Sequence, residues 1–380
     1  VSAPHHLPEL AGVVTQHDLV RTVDAIAALQ LPSGNLPWTP GGHTDPWNMV
    51  EALMALGLGG RIEHARAGFD WLAGKQRADG AWHAYYLDDE VEDPTLDTNL
   101  TSYVAAGAWH HHLVTDDTAW LRGQWPMVEA AIDFALDFQR ETGEIAWRGD
   151  DPDDGALLTG SSSIHHSLKC AISIAGRLGH DRPDWELSLA SLAIAIAHRP
   201  DVFLDKDRWA MDWYYPILGG VLRGYPAHAR LAAGWGAFVV EGRGARCVAD
   251  RPWVTAAETC ELVMALDAVG SHEHARMLFE SVQFLRADDG GYWTGANFES
   301  EAFHLDGELY PVERPSWNSA AVVLAADALA GDGPASGLFR GERLPTGLSA
   351  NDLLAAGVEI ARERDAFANR HQWKSSSGRD

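Results

Sequence analysis

Met54-Ala55-Leu56, then Gly60, then Glu63-His64-Ala65-Arg66 and Phe69, recurs as Met264-Ala265-Leu266, Gly270, Glu273-His274-Ala275-Arg276 and Phe279. Each copy runs on into a glycine turn that carries a tryptophan. The first is Ala78-Asp79-Gly80-Ala81-Trp82 and the second Asp288-Asp289-Gly290-Gly291-Tyr292-Trp293. An apolar stretch, a glycine stop, an amphipathic stretch and a second glycine turn read as helix, turn, helix, turn. A match of this length between two separated stretches means that the chain repeats a helical hairpin.

The unit extends in both directions. Small apolar helices rich in Ala, Gly and Ser begin near Trp47, Thr98, Ser162, Trp213, Ala256 and Trp317. They are apolar on almost every side, so they belong inside, buried all round. Amphipathic helices alternate with them, over Asp18–Gln30, Ile62–Gln76, Thr118–Gln139, Trp185–Arg199, Ala227–Phe238 and His272–Leu285, and belong outside. No long Val/Ile/Thr run with period-2 alternation appears, so the parallel sheet of an α/β enzyme is not expected. The pattern predicts an all-α (α/α)6 toroid. Such a ring also explains how a chain of 380 residues manages without a central linker, since each hairpin packs only on its neighbours. The expected divisions are an N-terminal arm over 1–16, the toroid over 17–330, and a C-terminal part over 331–380. The last comprises a Gly/Pro-rich linker to Gly347, an amphipathic helix over Asn351–Arg370 and a frayed tail over Gln372–Asp380.

Composition narrows the partners. The net charge is −25, which argues against nucleic acid and against an anionic membrane surface. No apolar run is long enough for a membrane span. Three cysteines, Cys170, Cys247 and Cys260, without paired spacing, do not make a disulfide framework and fit a reducing cytosol. Residues Val1–Leu10 contain no apolar core of a signal peptide, so a cytoplasmic location is expected. The oligomeric state cannot be read from the sequence.

The connections from outer to inner helices are long, and long ordered loops in compact domains usually carry function. All six should emerge at one end of the ring. They hold or immediately precede Trp38, Trp47, Trp82, Trp147, Trp209, Trp213, Trp253, Trp293 and Trp317, more than half of the sixteen tryptophans. Each could simply plug a loop onto the ring, but together they suit a ligand with flat apolar faces, such as a sugar chain or an isoprenoid. Carboxylates share that end: Asp45, Asp97, Asp153, Asp154, Asp212, Glu258 and Glu261. Two acids facing each other across a cavity, one protonated and one ionised, are what glycoside hydrolysis needs. The competing explanation is capping. Asp45, Asp97 and Asp212 stand at helix starts, and Thr255-Ala256-Ala257-Glu258 has the capping-box pattern. Asp45 is set apart by its neighbours His43, Trp47 and Asn48. Glu258 and Glu261 are set apart by the buried helix that carries them.

Other signals are weaker. Asp151-Pro152-Asp153-Asp154 matches the DxDD acid motif of terpene cyclases, but turn chemistry explains it equally well. His110-His111-His112 closes an inner helix at the opposite end and reads as a solvated cluster. No spacing enforces a metal site, so the default is a mechanism without metal or other cofactor.

Ala67-Gly68-Phe69-Asp70-Trp71-Leu72 followed by Gln76-Arg77-Ala78-Asp79-Gly80-Ala81-Trp82 is similar to the QW repeat of terpenoid cyclases and prenyltransferases, and Phe138-Gln139-Arg140-Glu141-Thr142-Gly143 echoes it. That likeness implies the ring but not the reaction. Leu36–Asn48 and Val254–Glu261 resemble an actinobacterial family often labelled prenyltransferase-like, the methylmannose polysaccharide hydrolases. The resemblance implies an intracellular endo-α-mannosidase acting on an α-1,4-linked, 3-O-methylated mannose polymer. It would put the catalytic acids at Asp45 and at Glu258 or Glu261. His43, Trp47, Asn48, Asp97, Asp212, Trp213, Tyr214, Trp253 and Trp317 are the expected substrate contacts. Two other readings stay open: a terpenoid cyclase or prenyltransferase relative working through Asp153 or Asp154, and a glycan-binding or epimerase ring.

Overall fold

The computed structural model describes residues 7–298 and 308–347. Six inner helices form a closed ring: α2 (Pro46–Leu58), α4 (Thr98–Ser102) continued by α5 (Val104–Thr115), α7 (Leu158–Leu178), α9 (Ala210–Leu218), α11 (Ala256–Ala268) and α13 (Ser316–Ala330). Each packs on the next, and α13 packs back on α2. Outside them lie α1 (Gln16–Ala27), α3 (Ile62–Lys75), α6 (Thr118–Leu136), α8 (Pro183–His198), α10 (Gly224–Phe238) and α12 (His272–Ser281). These pair with α13, α2, α5, α7, α9 and α11 respectively. The chain is therefore an (α/α)6 toroid, with each helix starting within a few residues of its sequence-based expectation. In α2 and α13 every residue except Trp47 in one, and Trp317, Leu329 and Ala330 in the other, is buried. That is the burial their all-round apolar sequences require.

The two matched stretches make the same turn. Gly60 and Gly270 are left-handed (φ 71° and 77°), and the next amide reaches back to a helix carbonyl, Arg61 N to Leu56 O at 2.8 Å and Ser271 N to Leu266 O at 2.9 Å. This is the glycine C-cap that lets an inner helix stop and an outer one begin.

A second device stitches four of the six outer helices to their neighbours. Gln76 Nε2 donates to Gly80 O in its own turn and to Met127 O of α6, both at 2.9 Å. Gln30 does the same to Gly34 and His64, and Gln139 to Gly143 and Ser188. At the fourth such turn Arg286 stands in place of Gln and pairs with Asp18 of α1 at 2.9 Å. The glycine of each turn, at φ 93°, 93°, 104° and 95° for Gly34, Gly80, Gly143 and Gly290, lies flat against the backbone of that next helix. These stitches are the physical content of the QW-like repeat. Its tryptophan, Trp82, is fully buried and donates to Leu72 O at 2.8 Å.

The long loops gather at the end where the inner helices begin. They contain short strands that the sequence pattern did not announce: a hairpin, β1 (Tyr85–Leu87) with β2 (Glu90–Asp93), and an antiparallel five-stranded sheet, β3 (Val239–Val240), β4 (Gly244–Arg246), β5 (Trp253–Thr255), β6 (Gly295–Asn297) and β7 (Glu308–Leu309). Backbone hydrogen bonds join each loop to the next around the ring. They run Thr44 to Tyr86, Thr98 to Trp147, Leu204 to Ala156, Ala210 to Cys247, β5 to β6, and Ser316 back to Trp38. Buried loop backbone needs partners, and here neighbouring loops supply them.

At the opposite end, segment 331–347, read from composition as a linker, folds into turns. Ala335, Leu338 and Phe339 are buried in the main core, and Arg340 pairs with Asp267 of α11 at 2.7 Å. The helix expected over Asn351–Arg370 and the tail beyond it lie outside the described residues. The solvated reading of His110, His111 and His112 is overturned: all three are buried, at 2 %, 2 % and 5 % exposure. His111 packs on Phe69 of α3 and Trp120 of α6, and His112 accepts from Arg177 of α7 at 3.4 Å. Burial pushes His110 down to about 3 and His111 to about 4, which keeps both neutral.

Gly80→Ala tests the stitch. A Cβ there would overlap Ala130 O of α6, on a backbone angle that disfavours side chains. Urea denaturation should show a loss of at least about 2 kcal/mol. A loss below about 0.5 kcal/mol would mean that the turn does not need glycine.

Candidate active site

Asp45 is the N-cap of α2, as a capping reading expects: Oδ1 accepts from Asn48 N at 2.9 Å. Its other oxygen does more. Oδ2 accepts from the Trp38 indole N–H at 2.6 Å and from Asn48 Nδ2 at 2.7 Å. The carboxyl is 1 % exposed, and burial pushes its pKa above the ordinary aspartate value against the pull of these three donors. Asp97 repeats the arrangement at α4, accepting from Leu100 N at 2.8 Å and from the Trp147 indole at 2.6 Å, and desolvation lifts it to about 6.

Around Asp45 the loops form an aromatic mouth. Trp38 lies edge-on to His43 (4.5 Å between ring centroids), Trp317 (5.6 Å) and Tyr85 (6.0 Å). His43 Nδ1 lies 3.3 Å from Glu92 of β2. Tyr85 is pushed up to about 12, by burial first and then by Asp45, Asp97, Asp93 and Glu92, which places its phenol among those carboxylates. Trp47 turns toward Tyr103 at 5.3 Å. The indole nitrogens of both Trp47 and Trp317 are buried and without a hydrogen-bond partner.

Glu258 stands in the first turn of α11, half-buried. The capping box expected there does not form. Thr255 makes no side-chain bond to the helix backbone and donates its hydroxyl to the Glu258 carboxylate instead. Glu261, one turn on, is 3 % exposed and points to the ring axis. Both its oxygens accept from tyrosines of α9, Oε2 from Tyr214 and Oε1 from Tyr215 at 2.6 Å. Burial dominates over these bonds and, with the Glu258 charge, raises Glu261 to about 8.

Across the axis stands an acid that the sequence reading passed over. Glu51 of α2 is 4 % exposed, its Oε1 is 3.4 Å from Tyr103 Oη, and it lines a small internal cavity with Ser163, His166, Tyr215 and Phe339. Burial and the nearby charges of Glu261 and Asp45 hold its pKa well above the glutamate range. A lone acid inside Pro46-Trp47-Asn48-Met49-Val50-Glu51-Ala52-Leu53 was the available signal, the same one that singled out Glu261. Asp45, Glu51, Glu261 and Glu258 thus form a chain of carboxyls that feel one another, beneath the mouth.

Other expected contacts go elsewhere. Trp213 turns outward: its indole donates to Arg230 O of α10 at 2.7 Å and stacks on Phe238. Asp212 accepts from the Thr159 hydroxyl at 2.5 Å. Both line a lateral cavity of about 560 Å³ between α9, α10 and residues 200–207. Trp253 sits in β5, its indole donating to Tyr310 O at 2.6 Å. Asp153 and Asp154 are exposed on an outer turn beside Arg148, away from the axis.

No protein-family model matches the chain. Among curated proteins it is 49 % identical over 344 residues, 90 % of this chain and 94 % of the relative, to the MMP endo-(1,4)-3-O-methyl-alpha-D-mannosidase of Mycolicibacterium hassiacum. The chain belongs to that mannosidase family. Solved structures agree on the ring. A wild-type glycosidase superposes with a TM-score of 0.64 at 15 % identity, over 84 % of this chain and 99 % of that one. A GH63 mannosylglycerate hydrolase from Thermus thermophilus in complex with glucose gives 0.63 at 11 %, over 80 % and 99 %. Identities this low carry the fold alone. Family membership therefore rests on the curated relative, and the site on the side chains described above.

In this mannosidase ring the axial carboxyls make stability depend on pH. Glu261 is near 4.5 when unfolded and about 8 when folded. Its contribution is fully present below about 4.5 and is lost as pH rises through about 8. Thermal denaturation should show Tm falling over that interval, and falling less steeply in Glu261→Gln, which mimics the protonated acid. Parallel curves for the two proteins would mean that Glu261 is ionised in the fold.

Proposed function

We propose that this chain is a glycoside hydrolase that cuts internal α-1,4 bonds of a 3-O-methylated mannose polysaccharide, with Asp45 and Glu258 as its acid–base pair. The observation that carries this reading is the placement of buried carboxyls directly under an aromatic mouth, in a chain from the family whose curated member bears that activity in its name. Trp38, Tyr85 and Trp317 offer flat apolar faces to sugar rings, and a methylated sugar presents more apolar surface to them. The unpartnered indole N–H groups of Trp47 and Trp317 are donors in reserve for sugar oxygens.

Burial favours the protonated form of Asp45, which suits it to donate a proton to the leaving glycosidic oxygen. Glu258 is the more open acid and stands in the first turn of α11. It activates water or attacks the anomeric carbon; one water is consumed for each bond cut. Glu261 is the reserve candidate for that role, but its two tyrosine hydrogen bonds and its depth suit it better to a supporting position behind Glu258. Asn48, His43 and Asp97 line the approach. The terpenoid reading needs Asp153 or Asp154 in an enclosed apolar cavity, whereas both are exposed on the surface.

A cytosolic location is part of the proposal. Three buried free thiols and the acidic charge support it. No described helix is long and apolar enough to cross a membrane.

Incubation with methylated and unmethylated manno-oligosaccharides and with gluco-oligosaccharides, sized by mass spectrometry, should give short products from the α-mannosides. Asn caps helices as well as Asp, so Asp45→Asn should fold normally by circular dichroism while turnover drops about 1000-fold. A folded Asp45→Asn with wild-type turnover would reduce Asp45 to a cap, and absence of cleavage of every glycan would remove the hydrolase reading.

A further inference from the structure

Trp38 belongs to two structures at once. Its ring is a wall of the mouth, touching His43, Tyr85 and Trp317. Its indole N–H ends on Asp45 Oδ2 at 2.6 Å. The backbone on either side is fixed: Trp38 N donates to His43 O at 2.9 Å, and Trp38 O accepts from Ser316 N of α13 at 2.7 Å. Three separate elements therefore immobilise this ring: its own loop, the β1–β2 hairpin and α13.

A cap alone does not need this. Asn48 N already satisfies the capping geometry through Oδ1. The indole bond goes to the other oxygen, which it shares with Asn48 Nδ2. We propose that Trp38 is the positioning residue of Asp45, fixing the orientation of its carboxyl while the same ring packs against the sugar that the carboxyl acts on. The proposal rests on Asp45 being the catalytic acid of the preceding section.

The chemistry of the bond gives a readout that a wall residue would not move. An N–H donated to a carboxylate favours the ionised form and holds the pKa down. The other groups facing Asp45 are acids: Glu51 on its own helix, Asp97 ahead of α4 and the Tyr85 phenol on β1. From α13 comes Trp317, which is uncharged and meets the Trp38 ring, and His43 of the same loop meets that ring edge-on. Removing the indole donor therefore leaves burial and like charges unopposed at Oδ2 apart from Asn48. The limb of the kcat/KM profile that Asp45 controls must move to higher pH, whichever of acid or base it serves as.

The test is Trp38→Phe, which keeps an aromatic wall and loses the donor. Benzothienylalanine incorporated at position 38 serves as a second variant, keeping both rings and replacing N–H by sulfur. Both should lower kcat about tenfold to a hundredfold, the worth of a hydrogen bond to a charged group. Both should also shift one pH limb upward while leaving KM for the oligosaccharide within about threefold. A raised KM with unchanged kcat and unchanged pH limbs, in the benzothienyl variant above all, would overturn the proposal and leave Trp38 as a wall. Asp45→Asn is measured alongside. If it retains turnover, the assignment of Asp45 itself fails. If it is dead while both position-38 variants keep the wild-type profile, only the positioning role fails.

Discussion

A helix that is apolar on every side has to be enclosed on every side. Six such helices in one chain, each paired with an amphipathic partner, leave few arrangements, and a closed ring encloses them all without unpaired ends. Closure is thus the constraint on which the rest depends. It aligns the N-termini of α2, α4, α7, α9, α11 and α13 at one end. It sends every long loop to that end, and it forces the loop backbones to satisfy one another. The circuit of hydrogen bonds from loop to loop is a consequence of ring closure, and so is the convergence of side chains from loops far apart in sequence.

The Gln–Gly stitch shows how closure is specified locally. Gln30, Gln76 and Gln139 each bridge their own turn and the next outer helix, and the turn glycine then lies against that helix backbone. Arg286 with Asp18 makes the corresponding contact from the last outer helix back to the first. A glutamine side chain can bond two carbonyls at once. At the closing contact the partner is a carboxylate, and an arginine suits it better.

The site inherits its chemistry from the same enclosure. Axial carboxyls such as Glu51 and Glu261 are surrounded by tyrosine hydroxyls and by other acids, so burial and mutual repulsion both favour retention of protons. Asp45 differs in receiving three hydrogen-bond donors, and Glu258 in being more open. Asp45, Glu51 and Glu261 thereby hold protons more tightly than free carboxyls do, beside a more open Glu258, an arrangement in which a pair can divide the work of acid and base.

The ring itself was legible in the sequence, because periodicity, glycine stops and the self-match of Met54–Trp82 with Met264–Trp293 are local properties of the chain. Asp45, Glu258 and Glu261 were legible as candidates for the same reason: a carboxyl at a buried helix start is visible without coordinates. Which side chains meet was not. Trp213 and Trp38 look alike as loop tryptophans, yet one turns outward onto α10 and the other holds Asp45, because each indole goes where its neighbours from distant parts of the chain offer an acceptor. Glu51 went unnoticed although its helix was correctly placed, since a single acid in an apolar helix acquires meaning only when the facing helix presents another. His110, His111 and His112 looked solvated as a polar run, but all three are buried, with His111 against α3 and α6 and His112 against α7. Local pattern determined the elements and their order. Tertiary packing decided the facing pairs, because contacts between residues distant in sequence exist only once the ring has closed.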